Sequence, residues 1–190
     1  GDSIKTVEDL KGKTLYSTGK GATPEFSLNY VLAQHGMDPE TDLTVEYKSE
    51  AAEIIPLLLQ NPEAIAMLPQ PFVTVAEQKV EGLQIALDWT KEWEAVAEGE
   101  SSMLTGVLIV QKEFAEKYPN VLEDFLTEYQ ASTKYTESNV TETAELIEKY
   151  GIVDAAIAEK ALPFSNITYI AGEDMKHDLQ GFSSRRRHTR

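Results

Sequence analysis

The residues with the most chemistry to offer sit together near the start of the chain, in the run Thr18-Gly-Lys-Gly-Ala-Thr23, with Pro24 directly after it. Proline in the first helical turn, with Thr23 as its cap, predicts a helix beginning where the loop ends. The backbone N–H groups at such an end have no partner within the helix, and the helix dipole behind them favours an anionic or strongly polar group. Gly19 and Gly21 allow a ligand close to the backbone, and Lys20 adds positive charge. Thr18, Gly19, Lys20, Gly21, Ala22 and Thr23 are therefore candidate ligand contacts, against the plainer reading of a glycine turn before a capped helix. The run is not a phosphate-binding loop of the G-x-x-x-x-G-K-[ST] kind. It is not a dinucleotide G-x-G-x-x-G either, because Pro24 stands where the third glycine would be.

Other reactive side chains offer less. Lys48, Ser49 and Glu50 follow a strand-like segment, at the carboxyl end where α/β folds place ligands. Ser49 is thus either a ligand contact or the cap of the next helix. Trp89 and Trp93 either line a wet cleft or pack in the interior. His35 reads as a helix C-terminal residue favoured by the dipole, and His177 lies in a polar helix. No histidine pair has metal-ligand spacing, and no Ser-His-Asp order stands out. The chain has no cysteine, which excludes thiol catalysis, disulfides and thiolate metal sites in this stretch. No catalytic residue, metal site or cofactor is expected. The carboxylates between Glu137 and Glu148 read as a solvated helix face.

The elements that would position these groups alternate. Thr14-Leu-Tyr-Ser17 is a strand, the glycine loop follows, and a helix carrying Phe26, Tyr30, Val31 and Leu32 ends at Gly36. Leu43-Thr-Val-Glu-Tyr47 is a second strand. A helix with Ala52, Ile55, Leu58 and Leu59 follows, with a kink expected at Pro56. Ala64-Ile-Ala-Met-Leu68 is an apolar run typical of a buried parallel strand. Pro69-Gln70-Pro71 stops it, and residues 72–80 form a helix. This β-α-β-α-β-α order predicts a parallel sheet. Two further strands are expected at Gln84-Ile-Ala-Leu87 and Thr105-Gly-Val-Leu-Ile-Val110, separated by a polar stretch. Helices over residues 114–118, 121–139, 141–149, 154–162 and 173–182 complete the chain.

Composition bounds the partners. The 190 residues carry a formal net charge of −15, which argues against nucleic acid, because phosphate binding needs a basic face. No apolar run approaches the roughly 20 residues of a membrane span. Residues 1–13 are polar and lack the apolar core of a signal peptide. Either the protein is cytoplasmic or a signal segment lies upstream. The last eight residues, Ser183-Ser-Arg-Arg-Arg-His-Thr-Arg190, hold four of the 17 basic residues. They resemble conceptual translation of sequencing-adapter read-through, and residues 183–190 are set aside from the fold on that reading.

Four segments in order resemble a family. Glu8-Asp-Leu-Lys-Gly-Lys-Thr14 is similar to the start of the second lobe in type II periplasmic binding proteins. Leu68-Pro-Gln-Pro-Phe-Val-Thr74 is similar to their return crossing, Thr105 to Val110 with Lys112-Glu-Phe to the re-entry into the first lobe, and residues 119–151 to their C-terminal helices. The match is to the nitrate, sulfonate, taurine and thiamine-precursor branch and covers residues 1–182. It implies an α/β fold of two lobes, the first incomplete here. Residues 6–78 would be a complete lobe two; residues 1–5 and 79–182 would be crossing segments and the later part of lobe one. Gln70 and Pro71 would then lie at the second crossing, Gln70 as a ligand contact and Pro71 limiting hinge freedom, or both as a plain connector. Many relatives carry an acidic residue where this chain has Gln70, which weighs against a cationic ligand.

The function this implies is that of the extracytoplasmic solute-binding subunit of an ABC importer. It would be a monomer, periplasmic or a cell-surface lipoprotein. It would deliver a small solute, a sulfonate or carboxylate for example, to the transmembrane subunits of the permease, and would not be an enzyme. The missing first-lobe wall would leave this stretch alone a weak binder. Two alternatives share the fold. The effector-binding domain of a transcriptional regulator needs a helix-turn-helix upstream. A thiamine-pyrimidine synthase-like enzyme uses a cysteine-rich motif, which the absence of cysteine weighs against.

Overall fold

Gly12, with a φ of 73°, turns the chain out of a 3-10 turn, Val7–Leu10, and into strand β1, Thr14–Ser17. The structure is a computed structural model that describes residues 4–188, with side chains through Arg185. β1 is the central strand of a parallel three-stranded sheet, flanked by β2, Thr44–Tyr47, and β3, Ile65–Ala66. Leu15 is in register with Val45 on one side and with Ile65 on the other. The connections are α1, Thr23–Gln34, and then a 3-10 turn, Ala51–Glu53, running into α2, Ile54–Gln60; α3, Phe72–Lys79, follows β3. The expected β-α-β-α-β-α order and parallel pairing are therefore present.

Strand alternation sends successive side chains to opposite faces, and two apolar layers result. Leu15, Val45 and Ile65 meet Leu28, Val31 and Leu32 of α1. Tyr16 and Ala66 meet Ile54, Ile55 and Leu58 of α2 and Ala76 of α3. The first layer also takes in α4, Trp89–Ala97, and α9, Gly172–His188. Trp93 stands 4.8 Å from the Tyr30 ring and 5.3 Å from Phe182 between ring centroids. At the end of α1, Gly36 takes a φ of 70°. Its amide donates to Ala33 O, and the Met37 amide reaches Leu32 O at 2.9 Å, a left-handed stop as expected from the sequence.

The chain divides into two compact units, Gly1–Thr105 with Gly172–Arg190, and Gly106–Ala171. The second is helical: α5, Lys112–Lys117; α6, Pro119–Ser138; α7, Val140–Lys149; and α8, Ala155–Ala161. Ala144 of α7 and Ala158 and Ala161 of α8 are buried; small side chains let these two helices close on each other. Along α6, Phe125 and Tyr129 stack at 6.0 Å.

Several expectations need correction. Residues 84–87 and 105–110 form no strand among the described residues, and Ile85 and Ile109 are 56% and 86% exposed. β-branched side chains suit a ladder, but a strand persists only where a neighbour takes up its N–H and C=O groups. The polar stretch between them holds a helix, α4, started by Asp88, whose carboxylate accepts from the Thr90 and Lys91 amides. Ala22 caps α1, so Thr23 is its first residue rather than its cap. Glu50, not Ser49, opens the following 3-10 turn, reciprocally with Glu53. α2 begins at Ile54 and so puts Pro56 in its first turn, where the missing N–H has no helical partner to lose. α9 continues past Phe182 to His188; Thr189 and Arg190 lie outside the described residues.

Candidate functional site

The parallel sheet brings three chain segments out at one edge. The Lys48 amide donates to Ser17 O at 2.8 Å and the Met67 amide to Tyr16 O at 2.8 Å, so the chain leaves β1, β2 and β3 nearly level. The loop 18–22 leaves β1 there, Ser49 follows β2 by two residues, and Gln70 and Pro71 follow β3 by four and five. Carboxyl ends of parallel strands are where open α/β sheets take their ligands.

The loop is tightly determined. Gly19 has a φ of 74°, and a β-carbon there would lie 2.7 Å from Pro24 Cγ, so no other residue fits without displacing the proline. The Ala22 amide donates to Gly19 O at 3.0 Å. Gly21 has a φ of 78°, and its amide donates to Glu25 Oε2 at 2.6 Å. Ala22 offers no side chain to the first turn of α1, which leaves the opening amides of the helix uncapped. Thr18 and Thr23 are half-buried; Lys20, Gly21 and Ala22 are exposed.

Basic and aromatic groups flank the loop. Lys20 Nζ lies 5.9 Å from the centroid of the Tyr47 ring, and Lys48 Nζ lies 5.4 Å from that of Tyr16 while pairing with Glu46 at 3.2 Å. Burial, and after it the neighbouring Glu25 carboxylate, pushes the Tyr47 phenol up to about 12. A groove of about 380 Å³ opens beside the loop, lined among others by Lys20, Glu25, Asn29, Thr44 and Tyr47. Ser49 is exposed at the end of the same strand as Tyr47.

Gln70 already has an intramolecular task. Its Oε1 accepts from the Thr74 hydroxyl at 2.9 Å and from the Thr74 amide at 3.3 Å, closing the first turn of α3. The Gln70–Pro71 peptide is cis.

The tryptophans resolve toward the interior. Trp93 is fully buried and its indole N–H donates to Ser101 O at 3.1 Å; Trp89 is half-buried against the same cluster. His35 terminates α1 with Nδ1 2.8 Å from Glu8 Oε1, and His177 is exposed on α9. No group of three or more potential metal ligands gathers among the described residues. Sequence reasoning missed Glu25 and Tyr47. Glu25 carries a readable signal, an acidic residue in the first helical turn four positions after a glycine; the role of Tyr47 depends on strand register.

Comparison with known proteins adds the following. Residues 1–142 match the model of the family described as NMT1/THI5 like. No curated protein matches the chain. Among solved structures, the periplasmic aliphatic sulphonate binding protein SsuA from Escherichia coli superposes with a TM-score of 0.74 at 19% identity, over 97% of this chain and 56% of that one. An ABC transporter structure from Parabacteroides distasonis gives 0.67 at 22% identity, over 94% and 60%. The alkanesulfonate-binding protein SsuA from Xanthomonas axonopodis pv. citri, bound to MOPS, gives 0.64 at 17% identity, over 97% and 62%. The chain spans between 56% and 62% of the length of these relatives.

Proposed function

The chain belongs to the NMT1/THI5-like family, and on that premise we propose that it is the solute-binding part of an ABC importer, a binder rather than a catalyst. Its fold is the mixed α/β architecture of type II periplasmic binding proteins, incomplete relative to their full length. The observation that carries the reading is the convergence of three loops at the carboxyl edge of the sheet. The one after β1 is a glycine loop opening a helix, with Lys20 beside it. Backbone donors, a helix dipole and a lysine suit a small anion, and the solved relatives are named for binding sulfonates.

In this proposal Thr18, Gly19, Lys20, Gly21, Ala22, Thr23, Ser49, Gln70 and Pro71 face the solute. Residues 6–78 form one complete lobe, and the rest belongs to crossings and to the other lobe. The loaded protein works outside the cytoplasm as a monomer and passes its solute to the permease subunits. Amide chemical shifts test it. Titration with methanesulfonate and with acetate should move the resonances of Gly19, Gly21 and Thr23, and titration with choline should not. Shifts that miss this loop for all three compounds would defeat the proposal.

A further inference from the structure

One amide of the glycine loop, beside the groove that Lys20 and Glu25 line, is already occupied. Gly21 N–H donates to Glu25 Oε2 at 2.6 Å, a contact to an ionised acceptor and so stronger than a neutral one. Glu25 is the third residue of α1, so the helix dipole also holds its charge in place. The carboxylate thus stands where an anion approaching the loop would seek its donor. Lys20 supplies a cation to the lining of the groove, with Nζ 5.9 Å from the centroid of the Tyr47 ring. The Gly21 N–H cannot serve two anions, and a second anion at van der Waals distance from the Glu25 carboxylate meets strong repulsion. Glu25 does have somewhere to go: the groove continues past it to Asn29, one helical turn on, and Thr44.

We propose that Glu25 is a built-in competitor at the glycine loop, holding the Gly21 amide until an anionic solute displaces it into the groove. The inference rests on the solute-binding reading above and specifies how that site selects. Only an anion that gains more from the loop than the carboxylate does can bind, so weak or singly contacting anions are turned away. Neutralising Glu25 removes the repulsion, and E25A removes the competing acceptor as well.

The test is a methanesulfonate titration of the 190-residue chain and of E25Q and E25A, followed by amide shifts, with folding checked by thermal melting. The expected result is binding tightened on the order of tenfold in E25Q and at least as much in E25A. Unchanged or weaker binding in the folded variants overturns the inference while leaving the solute-binding reading intact. Absence of loop shifts in all three proteins removes both. The Gly21 amide gives a readout without ligand. Its proton resonance should move upfield in E25Q and E25A as the short contact to the carboxylate is lost, and an unmoved resonance overturns the competitor role on its own.

Discussion

The Pro24 ring sits so close over Gly19 that a β-carbon on the glycine would lie 2.7 Å from Cγ and 2.9 Å from Cδ of the proline. The proline ring fills the space that a side chain at Gly19 would need. Gly19→Ala meets both this clash and a φ of 74°, so it should cost about 1–3 kcal/mol. Gly12→Ala is the control. Its φ is 73° but nothing lies within 4 Å of the added carbon, so only the backbone cost of about 1 kcal/mol applies. Urea unfolding of the two variants measures the difference. Equal losses would mean that the proline yields.

Gln70 joins two roles whose separation can be measured. Gln70→Ala leaves the Thr74 hydroxyl and amide, in a residue only 4% exposed, without their acceptor. A loss of about 1–2 kcal/mol is expected by denaturant melting. Gln70→Glu keeps an acceptor and should hold stability close to that of the parent, while its added charge weakens methanesulfonate binding. If Gln70→Ala melts like the parent, the cap does not form in solution.

What could be read from the sequence follows from where the determining interactions lie. β1, α1 and the stop at Gly36 depend on residues within a few positions of one another, and they stand where the sequence put them. The caps were misplaced by one residue at Ala22 and at Glu50, because a cap depends on which φ/ψ the chain adopts and several polar residues compete for the position. Residues 105–110 carry strand-forming side chains, but strand formation is a property of pairs of segments, which no local pattern contains. The approach of Glu25 to Gly21 needs the loop to fold back through left-handed glycines. Tyr47 reaches Lys20 only because β2 pairs with β1 in a particular register.

The two tryptophans should respond unequally to the same change. Trp93→Phe removes a donor from the buried Ser101 carbonyl and opens space in an aromatic cluster, at a cost of about 1–3 kcal/mol. The Trp89 indole N–H is buried without a partner, so Trp89→Phe discards an unsatisfied donor and should stay within about 0.5 kcal/mol of the parent. Melting curves of both variants decide, and a large loss at Trp89 would show that its N–H finds an acceptor in solution.

Acid should loosen the contact between the first 3-10 turn and the end of α1. Glu8 is held at about 2, below its ordinary 4.5, first by its hydrogen bond to His35 and then by a hydrogen bond to its own backbone. The folded-state value is depressed, so the contribution is complete above the unfolded value. It is lost as pH falls from about 4.5 toward 2. Asp9 and Asp42 are lowered as well, each chiefly by a backbone amide, from Lys5 and Asp38 respectively. They steepen the same acid limb, so Glu8→Gln should flatten it in part without abolishing it. Glu8 is exposed, so the effect is small and best read as a difference between the parent and variant midpoints at pH 6 and at pH 3. A constant difference across that range would mean that His35 does not hold Glu8 in solution. A gap that closes toward pH 3 is the signature of the pair.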